Sequence, residues 1–511
     1  MLRSSKAVKI TGILCSLAVV LTSAAGCAKS SGSTSSTAGK TTNISFLCPL
    51  NSATTPNLDN DKVFQKIQQT TNSKLNITFI PAGSYKDKLN VIIASNQLPD
   101  VIVADAGEMK ATAIQKGVSE GMFWEIGGLL KSYKNLEKLY SNNVVISNAS
   151  QDGKLYGLPR PRVLGRVGLV IRKDWLDNLG LSMPKTPEDV YNLAKAFTNN
   201  DPDKDGKNDT YGLEYADLSS GSYGWNGISS LAVAYGGPNN VGIVNGKATF
   251  DFETSQYMQA LDLLHKMYSE KLMNQDFALV SGTKRYDAFN KGNVGMIFCT
   301  LDDSYTYLDG VIQKTVPTAK LTVAAAFNNK EPSTPGHNGI LMFSKTAVKT
   351  QAELKTILSF YNRMTQQDML DLLYYGVEGV NYTTSNGAKV PIKNAPSDSR
   401  NDIGNVLLQP AMTTNDQTDT ALTKEVYALY KANEKYLVQD ISNGIDSPTY
   451  DSQSGTLNQI MFDARVKYVA GNMTQAGFTD ALNTWRQRGG TTADTEYTKA
   501  YNKLHGSSSS K

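Results

Sequence analysis

Between residues 43 and 117, short apolar segments alternate with amphipathic ones, and that alternation limits the folds open to the chain. "NISFLCPL" reads as a buried strand. In "NDKVFQKIQQTT", Val63, Phe64 and Ile67 recur at helical spacing. "LNITFIP" alternates Leu75, Ile77 and Phe79, a strand pattern. "SYKDKLNVIIASNQLP" places Leu89, Ile92 and Ile93 on one helix face and stops at a proline. "DVIVAD" is short and wholly apolar, and "GEMKATAIQKG" is helical again. Strand-helix-strand-helix-strand in this rhythm predicts a parallel sheet covered on both faces. Ligands of such sheets gather beyond the carboxyl ends of the strands. Asn51, ending the first strand, and Asp105, ending the third, are therefore expected near a site.

The chain has 511 residues, beyond the size at which single cores stop growing, so two or more lobes are expected. After the first block, a Gly/Pro/Arg segment leads into the apolar strand "VGLVI" and a helix carrying Trp175 and Leu176. "PKTPEDVYNLAKAFTNN" starts a helix by its own grammar: Thr186 caps, Pro187 suits the first position, and Asp189 reaches back. Val190, Leu193, Ala194 and Phe197 form its buried stripe. "HNGILMFSK" reads as a strand followed by the helix "TQAELKTILSFYNRMT". Near the end, "QAGFTDALNTWRQRGG" carries Phe478, Leu482 and Trp485 on one face, with Gly489 as a stop. Trp124, Trp175 and Trp485 fall on helix-like patterns and are read as packing residues.

The N-terminus has the order of an export signal: the basic "MLRSSKAVK", an apolar stretch, then "AAGC". Small residues followed at once by cysteine resemble a bacterial lipoprotein cleavage site. Residues 1–26 are read as signal peptide and Cys27 as the lipidated first residue; ordinary cleavage beside an incidental cysteine is the alternative. Residues 27–42 form a Ser/Thr/Gly-rich tether that cannot build a core. One acyl chain binds marginally, but diacylglycerol plus a further chain anchors firmly, at the extracellular face of the membrane. Removing Arg3, Lys6 and Lys9 with the leader takes the net charge from +4 to +1, which leaves no basic stripe for nucleic acid. Cys48 and Cys299 sit in apolar strands of different lobes and are expected as buried free thiols.

"NNDPDKDGKNDTYGL" packs four aspartates around one glycine. Asp201, Asp203, Asp205 and Asp209, with Gly206, follow the calcium-loop pattern D-x-[DN]-x-[DN]-G. Hard cations need six to eight oxygens, and glycine at the sixth position permits the bend that lets alternate side chains converge. Lys207 would supply a backbone carbonyl and Thr210 a hydroxyl or carbonyl. Position twelve is Gly212, where an EF-hand has a bidentate glutamate, and no exit helix follows. The loop is expected to hold Ca2+ as a brace. A solvated Asp/Asn turn is the alternative.

"YKDKLNVIIASNQLPDVIVAD", "DGKLYGLPR", "LVIRKDWLDNLGLSMPKTPEDVYNLAKAF", "NDPDKDGKNDTYGL", "MYSEKLMNQDF", "FNKGNVGMIF" and "LYYGVEGVNYT" occur in one order along the chain. Together they resemble family 1 of the extracellular solute-binding proteins, in its large lipoprotein branch of Gram-positive bacteria, which is similar to alginate-binding proteins. The resemblance covers about residue 43 to the end. It implies an α/β, two-lobed periplasmic-binding-protein-like clamp, each lobe a mainly parallel sheet flanked by helices, with a hinge of several crossings. Residues 43–162 with 330–395 would form lobe one, and 163–329 with 396–511 lobe two. It also implies a structural calcium in the acidic loop, a carbohydrate ligand, and delivery to the transmembrane subunits of an ABC-type permease by a protein working as a monomer.

A sugar offers hydroxyls all round and weakly apolar faces, so its site needs flat aromatic platforms and planar hydrogen-bonding groups. Tyr223 and Trp225 in "SSGSYGWNGISS" are candidates, Trp225 as stacking platform. Arg160, Arg162 and Arg166 fall at the expected crossing, where a guanidinium fork binds a carboxylate or paired hydroxyls; a hinge salt bridge is the alternative. Asp302 ends an apolar strand, and "YYGVEGVNYT" offers Tyr375, Glu378 and Tyr382. Asn51 and Tyr85, at or beyond strand ends of lobe one, and His337, before the return strand, complete the set.

There is no HExxH, G-x-S-x-G or Walker loop, and the chain has three histidines. The sequence offers no reason to choose a carboxylate pair for a glycosidase. Capture without catalysis is therefore expected, with a peptide-binding lipoprotein or a surface glycan-degrading enzyme as alternatives.

Overall fold

The computed structural model describes residues 41–506 apart from 51, 53, 217–226, 281–283, 386, 397 and 410–419. The signal peptide, Cys27, most of the tether, Asn51, Tyr223 and Trp225 thus lie outside the described residues.

The chain first forms strands β1 (Thr42–Leu50), β2 (Ser73–Pro81), β3 (Val101–Ala104) and β4 (Gly157–Pro161), then β5 (Val167–Arg172) and β6 (Tyr211–Glu214). A hairpin of β7 (Val241–Val244) and β8 (Lys247–Phe250) precedes β9 (Val294–Thr300) and β10 (Leu321–Ala324). Next come β11 (Glu331–Pro332), β12 (His337–Phe343), a hairpin of β13 (Tyr382–Ser385) and β14 (Ala388–Pro391), and β15 (Leu437–Val438).

Two principal sheets result. The first has the order β2-β1-β3-β12-β4, and the second β10-β5-β9-β6. In the first, β1 runs parallel to β2 and β3, while the return strand β12 lies antiparallel between β3 and β4. The carboxyl ends of β1, β3 and β4 and the start of β12 therefore share one edge. In the second, β5 is antiparallel to β9 and β10, and only β6 and β9 run parallel. The expectation of a mainly parallel second sheet is corrected. β5 enters from the crossing and its two neighbours return toward it, which forces the antiparallel sense. The start of β5 and the carboxyl ends of β6, β9 and β10 again share one edge.

Local signals explain much of this. The capping box at Thr186 and Asp189 forms, and Val190, Leu193, Ala194 and Phe197 are buried beneath it. Phe197 meets Trp175 edge to face at 5.4 Å. Each such side chain contributes about 2 kcal/mol through apolar burial. Gly212 on β6 lies so close to the helix Pro187–Asn199 that an added Cβ would sit 2.3 Å from the Cα of Ala194. Cys48 and Cys299 are buried free thiols in separate cores, and burial pushes the Cys48 thiol up to about 12.

Residues 403–408 pack into the first core with Phe343 and Tyr361, and Tyr361 donates to the Val406 carbonyl at 2.9 Å. The expected return at 395/396 falls earlier than the change in packing, since Leu422 and Val426 are the next residues in a core of the second lobe. The apolar signal of "IGNVLL" explains the extension. The crossing segments are zipped together: Arg162 N donates to the Gly336 carbonyl at 2.8 Å and Thr334 N to that of Leu164 at 2.7 Å. β11 also pairs with β15.

Candidate functional site

The crossing from β4 to β5 carries three arginines in seven positions, and each meets a different fate. Arg160, at the end of β4, is 3% exposed. Its guanidinium donates to the Asp105 carboxylate and the Asn338 carbonyl, and reaches Asn405 Oδ1 at 2.9 Å. It thus ties the ends of β3 and β4 to the start of β12, an internal brace.

Arg166 grips Asp302 just past the end of β9, Nε to Oδ1 at 3.2 Å and Nη2 to Oδ2 at 2.5 Å. The Tyr430 hydroxyl donates to the same carboxylate at 3.3 Å. Arg162 lies between these pairs, half-buried. Its Nη1 donates to the Pro161 carbonyl at 2.8 Å, and it makes no ion pair among the described residues. Burial, then the neighbouring Arg166 and Arg160, lower its pKa to about 10.

Aromatic residues flank this group from both lobes. On the second lobe, Tyr305 and Tyr427 meet at 6.2 Å, and Tyr427 and Tyr430 at 6.5 Å. On the first, Tyr375 lies 6.5 Å from Tyr374 and 6.0 Å from Tyr382, with the Lys389 ammonium 4.5 Å above the Tyr375 ring. Burial raises the Tyr374 pKa, and Arg162 and Tyr427 both act on it, so the two lobes approach here. The sequence reading passed over Tyr374, Tyr427 and Tyr430. Tyr427 and Tyr430 lie on the helix Ala421–Asn433, where a ring at helical spacing looks like core. Leu422, Val426 and Tyr430 form the buried side of that helix, and Tyr427 packs against the same core half-buried.

Other candidates separate. Tyr85 lies in the helix Ala82–Ala94, 2% exposed, and its hydroxyl donates to the Val103 carbonyl at 2.6 Å. Lobe one takes up both its ring and its hydroxyl. Glu378 is exposed and accepts from the Thr384 hydroxyl at 2.6 Å. His337 is 7% exposed, and burial lowers its pKa to about 4, so it is neutral. Its Nδ1 accepts from Gly339 N at 3.1 Å. Beside it the lobes touch directly, with Lys110 Nζ donating to the Ser442 carbonyl at 2.9 Å. Asn51, Tyr223 and Trp225 lie outside the described residues; β6, which precedes the latter two, ends on the same sheet edge as Asp302.

The acidic loop is a separate feature. Carboxylate oxygens of Asp201, Asp203 and Asp205 all lie within 4.8 Å of one another. Asp201 and Gly206 adopt positive φ of 47° and 78°, which turns the loop inward. The Asp201 carboxylate accepts from the backbone N–H groups of Asp205 and Gly206, each at 3.1 Å. Burial, then Asp205, raises the Asp203 pKa, the sign of acids crowded together. Lys207 Nζ bonds to Asp205 at 2.6 Å and supplies a positive charge from within the loop. Three convergent hard oxygens fit a cation such as Ca2+. Thr210 fits less well: it is buried, and its hydroxyl donates to the Phe197 carbonyl at 2.8 Å. Gly212 lies against Ala194, so no side chain at that position reaches the loop. Asp209 is exposed and outside the triad.

Residues 55–368 match the family of bacterial extracellular solute-binding proteins. This chain belongs to that family. Among curated relatives, the polygalacturonan/rhamnogalacturonan-binding protein YtcQ of Bacillus subtilis (strain 168) is 34% identical over 448 residues, covering 86% of this chain and 88% of that one. Lipoprotein LipO of the same organism is 32% identical over 498 residues, covering 95% and 96%. Among solved structures, the alginate-binding protein AlgQ2 without calcium ion aligns with a TM-score of 0.64 at 19% identity, covering 91% and 98%. An EF-hand mutant of the Streptococcus pneumoniae ABC-transporter substrate-binding protein FusA, in complex with fructo-nystose, aligns at 0.62 and 17% identity, covering 91% and 100%. These likenesses establish the two-lobed solute-binding protein fold.

Proposed function

We propose that this solute-binding protein captures an oligosaccharide outside the cell and hands it, chemically unchanged, to an ABC-type importer. The observation that carries this is the gathering of Tyr374 and Tyr427, one from each lobe, with Arg162 and the Arg166–Asp302 pair at the crossing. Rings suit the apolar faces of sugars, and planar polar groups suit their paired hydroxyls. The name of YtcQ and the fructo-nystose held by FusA support the ligand class.

Arg162 and Asp302, with Asn51, Tyr223, Trp225 and Glu378, form the proposed contact set; Arg160 braces it. A ligand touching both lobes favours the closed clamp by its differential affinity for that state. The closed surface is then what the permease subunits recognise. Anchoring through lipid on Cys27 is proposed from "AAGC" and agrees with the name of LipO. Ca2+ in the aspartate triad is proposed as a brace of lobe two, with the Lys207 carbonyl and Asp209 as further oxygens; the EF-hand of FusA supports it.

A thermal-shift screen with neutral and acidic oligosaccharides and with peptides tests the reading. Ligand at a hundred times its Kd stabilises a folded protein by about 2.7 kcal/mol. Stabilisation by at least one glycan is expected, with no new reducing ends on long incubation. Stabilisation by peptides alone, or release of reducing ends, overturns the reading.

A further inference from the structure

We infer that Arg162 reads a carboxylate on the sugar, so that the ligand class is an acidic, uronate-bearing oligosaccharide. This rests on the oligosaccharide reading and narrows it.

The argument is one of charge left over. Asp105 answers Arg160, and Asp302 answers Arg166. Asp303, which accepts from the hydroxyls of Tyr286 at 2.5 Å and Thr300 at 2.7 Å, acts on Arg166 and not on Arg162. His337 adds no charge. Arg162 remains, with one bond to the adjoining Pro161 carbonyl and no ion pair among the described residues; the Asp302 that grips Arg166 acts on it only at longer range. Its backbone is pinned to Gly336, so the guanidinium is presented from a fixed crossing.

Half-buried, Arg162 still reaches water in this structure. Closing the lobes over a ligand removes that water. A neutral sugar can satisfy N–H groups with hydroxyls, but it leaves a cation desolvated and unpaired, which is costly. A carboxylate compensates the charge and suits the planar fork through two parallel bonds. The cost of closure thus discriminates against neutral ligands, and the benefit of pairing favours acidic ones. Tyr374 and Tyr427, from opposite lobes, lie close enough to act on one another, and Tyr374 also feels Arg162, so aromatic rings gather where this guanidinium lies.

The test is calorimetric titration of trigalacturonate and of its fully methyl-esterified form, equal in length and ring stereochemistry. The acid should bind the unaltered protein between about 10- and 100-fold more tightly than the ester. In Arg162→Gln the two affinities should converge, because acid binding falls further than ester binding. Arg162→Lys should restore part of the preference, since lysine keeps the charge without the fork. Equal affinity for acid and ester in the unaltered protein overturns the inference and leaves oligosaccharide capture standing. A preference that survives in Arg162→Gln overturns the assignment to Arg162. Failure of every glycan, neutral or acidic, defeats the oligosaccharide reading itself and this inference with it.

Discussion

Arg166 and Asp302 join the crossing to the end of β9 by two contacts, at 2.5 and 3.2 Å. Their side chains are 15% and 31% exposed. Asp302→Asn removes the charge but keeps the shape, and leaves Arg166 largely buried beside Arg162. The loss should be about 2 kcal/mol, between the values for exposed and fully buried pairs. Urea denaturation checks it; a midpoint equal to that of the unaltered protein would show that the pair contributes nothing.

Trp225→Ala should weaken oligosaccharide binding by about tenfold or more through loss of a stacking face. The melting temperature should change little. Titration calorimetry decides between this and a packing role, in which stability falls and affinity holds.

Adding Ca2+ should raise the melting temperature, and chelation should reverse the gain without abolishing sugar binding. Asp203→Asn removes one of three convergent carboxylates and should weaken the response to calcium. A melting temperature indifferent to calcium in the unaltered protein contradicts the brace.

The sequence made the first sheet readable because its strands are short and apolar and its helices carry clear stripes, as at Val63, Phe64 and Ile67. The capping box at Thr186 was equally plain, since a cap is a local interaction. The direction of β9 and β10 was not readable, because pairing sense depends on where the crossings lie. The arginines at the crossing were found as a group. Which of them lacks an acid was not legible, since Asp105 and Asp302 lie 55 and 136 residues from their partners. The burial of Tyr85 was not legible either, since its hydroxyl turns back to the carbonyls of Leu47 on β1 and Val103 on β3. That the Thr210 hydroxyl turns to the Phe197 carbonyl, leaving its own carbonyl as the oxygen it could offer, was not legible in the sequence.

Glu331, on β11 at the crossing, gives a prediction about pH. It is 1% exposed, and Oε2 accepts from Asn433 Nδ2 at 2.9 Å while Oε1 has no partner among the described residues. Burial raises its pKa from 4.5 to about 8. The folded protein therefore holds a proton that the unfolded chain releases, and stability falls as pH rises from 4.5 to about 8. Glu331→Gln mimics the protonated form. Its stability relative to the unaltered protein should rise across that window by on the order of 2 kcal/mol. A difference in melting temperature that stays flat with pH contradicts a protonated Glu331.

The central claim is a clamp whose lobes close on an oligosaccharide that leaves intact. Small-angle X-ray scattering with and without saturating trigalacturonate tests it most directly. A smaller radius of gyration with the sugar, and recovery of the sugar unaltered, is the predicted result. Profiles that superimpose across acidic and neutral oligosaccharides, or cleavage of any of them, would contradict it.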